Sequence, residues 1–141
     1  MSLHSPQANI AAYRSVSAHG LVSSGDPHAL VLALFDAILG RLATARTCIE
    51  RNEIARKAGV LHSCVILIAE LRGSLDMAQG GSIARNLNDL YDYVARRVVH
   101  ANASNDVGAI TEVYQLLNEI REAWNAIGSE VRGHTGGATP G

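Results

Sequence analysis

From Pro27 to Pro140 the chain runs without a proline, and across that stretch apolar residues recur at alternating steps of three and four. Only an α-helix gathers positions so spaced onto one face. A strand would need apolar-polar alternation, and none runs long enough to compete. The first such stripe is Leu30, Val31, Leu34, Phe35, Ile38, Leu42, Ala45 and Ile49. Asp26 and Pro27 before it suit the N-cap and first helical positions, and Asn52 marks its end. A second stripe, Leu61, Val65, Ile68, Leu71 and Leu75, stops near Asp76, ahead of Gln79-Gly-Gly81. The third opens near Ser82 and takes in Ile83, Leu87, Leu90, Tyr91, Val94, Val98 and Ala101. The cluster Asn102-Ala-Ser-Asn-Asp106 ends that helix and caps the next, which carries Ile110, Val113, Leu117, Ile120, Trp124 and Ile127.

Short connections make successive helices antiparallel neighbours. The expected fold is all-α: an antiparallel four-helix bundle with an additional short helix around Ile10–Val16. Residues 1–9 read as a flexible N-terminus, 10–131 as the helical domain, and 132–141 as a disordered tail rich in glycine.

Composition narrows the function classes. The 141 residues are 48% hydrophobic but only 4% aromatic, so the apolar surface is overwhelmingly aliphatic. That excludes disorder of the whole chain and a disulfide-stapled scaffold. Formal net charge is −1, which offers no general attraction to nucleic acid or acidic membranes. All but one of the 12 cations are arginines, Lys57 being the exception. Cys48 and Cys64 read as two reduced, half-buried thiols. With no apparent signal peptide and no uninterrupted apolar span of about 20 residues, the chain reads as cytosolic, with no membrane insertion.

Chemistry is sparse. A di-iron site in a helical bundle needs Glu-x-x-His pairs, and no glutamate here has a histidine three residues on. His4, His19, His28, His62, His100 and His134 show no zinc spacing and read as surface or capping residues. His62 and Cys64 diverge by about 200° around a helix and cannot form a nucleophilic pair. His62 is the one mid-helix candidate for phosphotransfer, but no lysine accompanies it. The chain therefore reads as non-enzymatic, with no cofactor and no metal. Leu32, Leu39, Tyr114 and Leu116 stand off the main stripes. They suit either a wide stripe filling an aromatic-poor core or a groove that accepts a partner's helix.

Five segments carry a resemblance, in order and with matching spacing. They are Ser24-Gly-Asp-Pro-His-Ala-Leu-Val-Leu-Ala-Leu-Phe-Asp36, Ile68-Ala-Glu-Leu-Arg-Gly-Ser-Leu-Asp76, Gly80-Gly-Ser-Ile-Ala-Arg-Asn-Leu-Asn-Asp-Leu-Tyr-Asp-Tyr93, Ala101-Asn102 and Arg121-Glu-Ala-Trp124. Together they resemble the FliS-type flagellar export chaperones across about Ile10 to Ile127. Tyr13 sits where that family has a tyrosine ahead of its first long helix. Asp26 replaces a usual serine and Phe35 a usual tyrosine.

The resemblance implies a cytosolic chaperone that binds the disordered C-terminal segment of flagellin. It would prevent premature polymerisation and deliver the subunit to type III export. The leading helix would occupy an apolar groove when cargo is absent. Candidate partner-binding residues are Tyr13, Leu30, Leu34, Phe35, Asn86, Leu87, Leu90, Tyr91, Val94, Asn102, Leu117 and Trp124. Several of these equally suit the core, and Asn86 and Asn102 equally suit caps or braces. The export gate and an anti-sigma factor are further candidate partners, and the chain itself is read as a monomer or weak homodimer. The rival readings are a phosphotransfer bundle using His62 and a structural dimer burying Leu32 and Leu39.

Overall fold

The computed structural model describes the backbone of residues 27–138 and the side chains of residues 27–128. The helix expected around Ile10–Val16, Tyr13, the Asp26 cap and the 1–9 segment lie outside the described residues. Four helices follow in order: α1 (Pro27–Glu50), α2 (Ile54–Gly73), α3 (Met77–Ser104) and α4 (Val107–Ala138). Among the described residues there is no strand, so the fold is all-α.

Local chemistry sets each boundary. α1 begins on Pro27, whose fixed φ suits the first helical turn. It ends where Asn52 takes a left-handed φ of 58°. There the Glu53 N–H donates to the Cys48 carbonyl at 2.7 Å and the Asn52 N–H to Ile49 at 3.0 Å. This paired closure satisfies carbonyls that the helix end would orphan. α2 stops at Gly73, so Leu75 lies in the connection.

Asp76 starts α3, its carboxylate accepting the Gln79 N–H at 3.0 Å. The helix expected from Ser82 therefore begins at Met77, because that cap supports an extra turn. Gly81 joins this turn to the rest with φ 54° and ψ −130°, a conformation a side chain would oppose. Asn105 closes α3 in the left-handed region, and Asp106 caps α4 through the Ala109 N–H. Helical backbone continues to Ala138. Extending an existing helix fixes one residue per hydrogen bond and avoids the nucleation cost.

The helices contact one another as a closed ring: α1 on α2, α2 on α3, α3 on α4, and α4 back on α1. The enclosed core is aliphatic, with Ile38, Leu42, Leu61, Ile68, Val94, Ile110 and Leu117 fully buried. Each such side chain contributes about 1.5–3 kcal/mol by leaving water.

An arginine bridges every seam of the ring. Arg41 donates to Ser63 at 2.7 Å between α1 and α2. Arg72 reaches Asn88 at 2.7 Å and Asp92 at 3.2 Å between α2 and α3. Arg97 meets Glu112 at 2.9 Å between α3 and α4, and Arg121 meets Asp36 at 2.6 Å between α4 and α1. These pairs are still partly solvated, so each adds modest stability, but the guanidinium fork fixes the register of its seam.

Lys57 is the one buried charge among the described residues, 3% exposed. Its Nζ donates to the Asn102 carbonyl at 2.7 Å in the last turn of α3, where the helix dipole favours a cation.

By length and composition α1 is the one helix among the described residues long and apolar enough to cross a membrane, although Asp36 and Arg41 interrupt its apolar run. Its alanines and leucines outnumber its few charged residues. The helix nonetheless packs its apolar stripe into the core and places Asp36 and Arg41 in hydrogen bonds to α4 and α2.

Cys48 and Cys64 are both fully buried, and burial pushes the Cys64 thiol up to about 12 despite nearby Arg41. Neither thiol should react with an aromatic disulfide reagent in the native protein, and both should react once denaturant unfolds it. Rapid labelling without denaturant would contradict this core. A second expectation concerns acid. The Ala109 N–H, then His100, hold the Asp106 carboxyl below the usual range, and the Tyr93 hydroxyl and Arg97 do the same for Glu112. A depressed carboxylate stabilises the fold above its unfolded pKa and loses that contribution as pH falls through its folded pKa. The thermal midpoint should therefore drop as pH falls below about 4. Asp106→Asn keeps a capping side chain but not the charge, and should flatten that slope in thermal melts at pH 2–7.

Candidate partner-binding groove

At the end of the ring where α2 hands over to α3, the helices leave an apolar groove of about 690 Å³. Helical spacing supplies its walls. Val31 and Phe35 project from α1, one turn apart, and Leu71 from the end of α2. From α3 come Ile83, Ala84, Leu87 and Tyr91, and from α4 Ile120, Ala123, Trp124 and Ile127. The α4 set falls at successive steps of three, one and three, the signature of one helical face.

The floor is buried and the rim is open. Phe35, Leu71, Ala84 and Tyr91 are each at most 3% exposed, whereas Ile83 is 70% and Ile127 49% exposed. Phe35 and Tyr91 meet edge to face, ring centroids 6.4 Å apart, and burial pushes the Tyr91 hydroxyl up to about 12. Ser74, Asp76, Gln79 and Glu119 supply the polar margin. Gly80 keeps one wall thin: a Cβ there would stand 2.6 Å from Ala84 Cβ. Two large isoleucines in water beside an aromatic floor form a surface suited to an apolar helix face. Among the described residues no group of His, Cys, Asp or Glu could hold a metal ion.

The structure places the sequence candidates in several settings. Phe35, Leu87, Tyr91 and Trp124 come together on the groove. Leu34, Val94 and Leu117 are core residues, each at most 3% exposed. Leu30 and Leu90 are half-buried off the groove, and Asn86 is exposed. Asn102 braces two helices, its side chain donating to the Ala58 carbonyl at 3.4 Å and its own carbonyl accepting from Lys57. Tyr13 lies outside the described residues. Leu39 is buried within the chain at 6% exposure, which withdraws it from the dimer face imagined for it.

Val31, Leu71, Ile83, Ala84, Ile120, Ala123 and Ile127 line the groove without having been singled out as partner-binding. Most sit on the core stripes, and periodicity alone does not separate a core position from its continuation beyond the packed end. A second, more polar cleft of about 530 Å³ lies between the other halves of α1 and α4, around Arg46, Glu50, Thr111 and the half-exposed Tyr114.

Comparison with known proteins matches this architecture to one family. Residues 8–131 fit the family described as flagellar protein FliS. The chain is 41% identical over 121 residues to the flagellar secretion chaperone FliS of Salmonella typhimurium, covering 85% of this chain and 90% of that protein. It is 40% identical over 115 residues to the flagellar secretion chaperone FliSB of Pseudomonas aeruginosa, covering 82% and 91%. To FliS of Bacillus subtilis it is 33% identical over 110 residues, covering 77% and 81%. The five motif segments, the all-helical fold and matches spanning most of both chains converge, and the chain belongs to the FliS family of flagellar secretion chaperones.

Proposed function

We propose that this protein is a non-enzymatic cytosolic chaperone that receives the C-terminal segment of flagellin in the apolar groove. The cargo lays an amphipathic helix against Phe35, Leu87, Tyr91 and Trp124, remains unpolymerised, and passes to the type III export apparatus. The observation that carries this reading is the juxtaposition of a fully buried aromatic floor with exposed Ile83 and Ile127 at the rim. Burial of such surface is non-directional, which suits a segment that folds only on binding.

The four helices form an antiparallel bundle in this reading. Its support is that His28 near the start of α1 bonds Trp124 late in α4, while Arg46 near the α1 end shares a cleft with Ile110 at the α4 start. The segment around Ile10–Val16, with Tyr13, covers the groove when cargo is absent, and residues 10–131 are the folding unit. The chain acts as a monomer or weak homodimer.

A synthetic peptide of the flagellin C-terminal segment should bind in calorimetry and raise the melting midpoint. At 100 times Kd the gain is about 2.7 kcal/mol. Ile83→Asp and Ile127→Asp, both at rim positions outside the core, should leave the free protein folded with a cooperative melt. Each should weaken the peptide by about tenfold or more through a buried charge. Absence of a complex at tens of micromolar would refute the assignment.

A further inference from the structure

Where the first turn of α1 meets the later half of α4, His28 and Trp124 hold each other three ways. Their rings stack with centroids 4.5 Å apart and planes 8° from parallel. Trp124 Nε1 donates to the His28 carbonyl at 2.9 Å, and His28 Nε2 donates to the Trp124 carbonyl at 2.5 Å. The other ring nitrogen, Nδ1, is buried with no hydrogen-bond partner among the described residues. The imidazole occupies space that any side chain at residue 128 would fill. A Cβ on Gly128 would overlap His28 Cε1 and Nε2. The ring therefore depends on an indole face, a helix carbonyl and a missing side chain at once.

Of the two rings only Trp124 lines the groove. A partly exposed indole on an apolar wall can rotate about two torsions. Here the stack fixes the plane of the ring, and the Nε1 bond fixes which edge faces the groove. The ordering cost of a large side chain is thus met on folding, before any ligand arrives.

We propose that His28 is a positioning residue that fixes Trp124 as a rigid wall of the groove, and thereby selects which apolar side chains of the entering helix fit. The selection of cargo rests on the groove being the flagellin site argued above. The fixing of Trp124 does not.

Trp124 is the only tryptophan in the chain, so its spectroscopic signals report this clasp directly. In the full chain, His28→Ala removes ring and donor, while Gly128→Ala keeps both groups and takes away the seat. Both should lose most of the near-ultraviolet circular dichroism of Trp124 and gain emission as the stacked imidazole leaves. His28→Phe, which restores a stacking ring, should recover most of that signal. With the flagellin C-terminal peptide as probe, His28→Ala and Gly128→Ala should each weaken binding about tenfold, the scale of a lost aromatic stack with its hydrogen bonds. They should also shrink the affinity penalty for enlarging an anchoring leucine of the peptide to phenylalanine, because an unpinned indole yields. A merely structural tether would change stability and leave that preference alone.

An unchanged Trp124 signal in folded His28→Ala and Gly128→Ala overturns the positioning role whether or not the peptide binds. A changed signal with wild-type affinity and wild-type anchor preference overturns the role in selection. Should His28→Ala fail to melt cooperatively, His28→Phe against Gly128→Ala gives the same comparison. Failure of the wild-type protein to bind the peptide counts against the flagellin site alone, and the Trp124 signal then still decides the positioning.

Discussion

The edge-to-face contact of Phe35 with Tyr91 is the interaction on which the rest of this molecule turns. α1 and α3 are opposite members of the ring and make no close backbone approach, so side chains must span that diagonal. Farther along, aliphatic residues such as Ile38, Leu42, Val94 and Val98 fill the space. At the groove end two aromatic rings do it, both almost fully buried, and the cavity opens above them. An aromatic-poor sequence has gathered its one phenylalanine, Phe35, its one tryptophan, Trp124, and Tyr91 around this single groove. Aliphatic residues fill the remainder of the core.

Charge is used in a complementary way. The near balance of 12 basic and 13 acidic residues means little as a total, but its arrangement is specific. One arginine ties each seam of the ring, and Lys57 closes the last turn of α3 from inside. These bonds lie beside or away from the groove, whose floor carries no ion pair. Electrostatics therefore set which helix faces which, while the groove is left to apolar shape.

Helix existence and most boundaries were legible in the sequence, because alternating three- and four-residue spacing and Asn, Asp and Pro punctuation act locally. Asn52 and Asp106 serve where their residue types suggest. The start of α3 was misplaced because Asp76 caps a turn that Gly81 then redirects, a combination that reads as a simple break. The site was only partly legible. Leu117 and Ile120 lie on the same stripe of α4, yet one is core and the other lines the groove. Their difference is set by where the neighbouring helices end, which no local pattern encodes. His28 looked like a scattered histidine, and only packing pairs it with Trp124 and with the bare backbone of Gly128.

A groove with no charge on its floor discriminates poorly by attraction, since burying one aliphatic side chain is worth much the same as burying another. Discrimination must then come from shape, and shape discriminates only if the walls do not yield. On the α3 wall Gly80 and Ala84 pack too closely for an added methyl group, which sets its shape. The reciprocal bonds and stack of His28 and Trp124 fix the α4 wall. Ile83 and Ile127 remain exposed between these fixed points, so the parts free to adapt are the aliphatic rims. On the proposed reading, a firm floor with adaptable edges would accept any apolar helix at first contact and retain only one whose anchors match the walls.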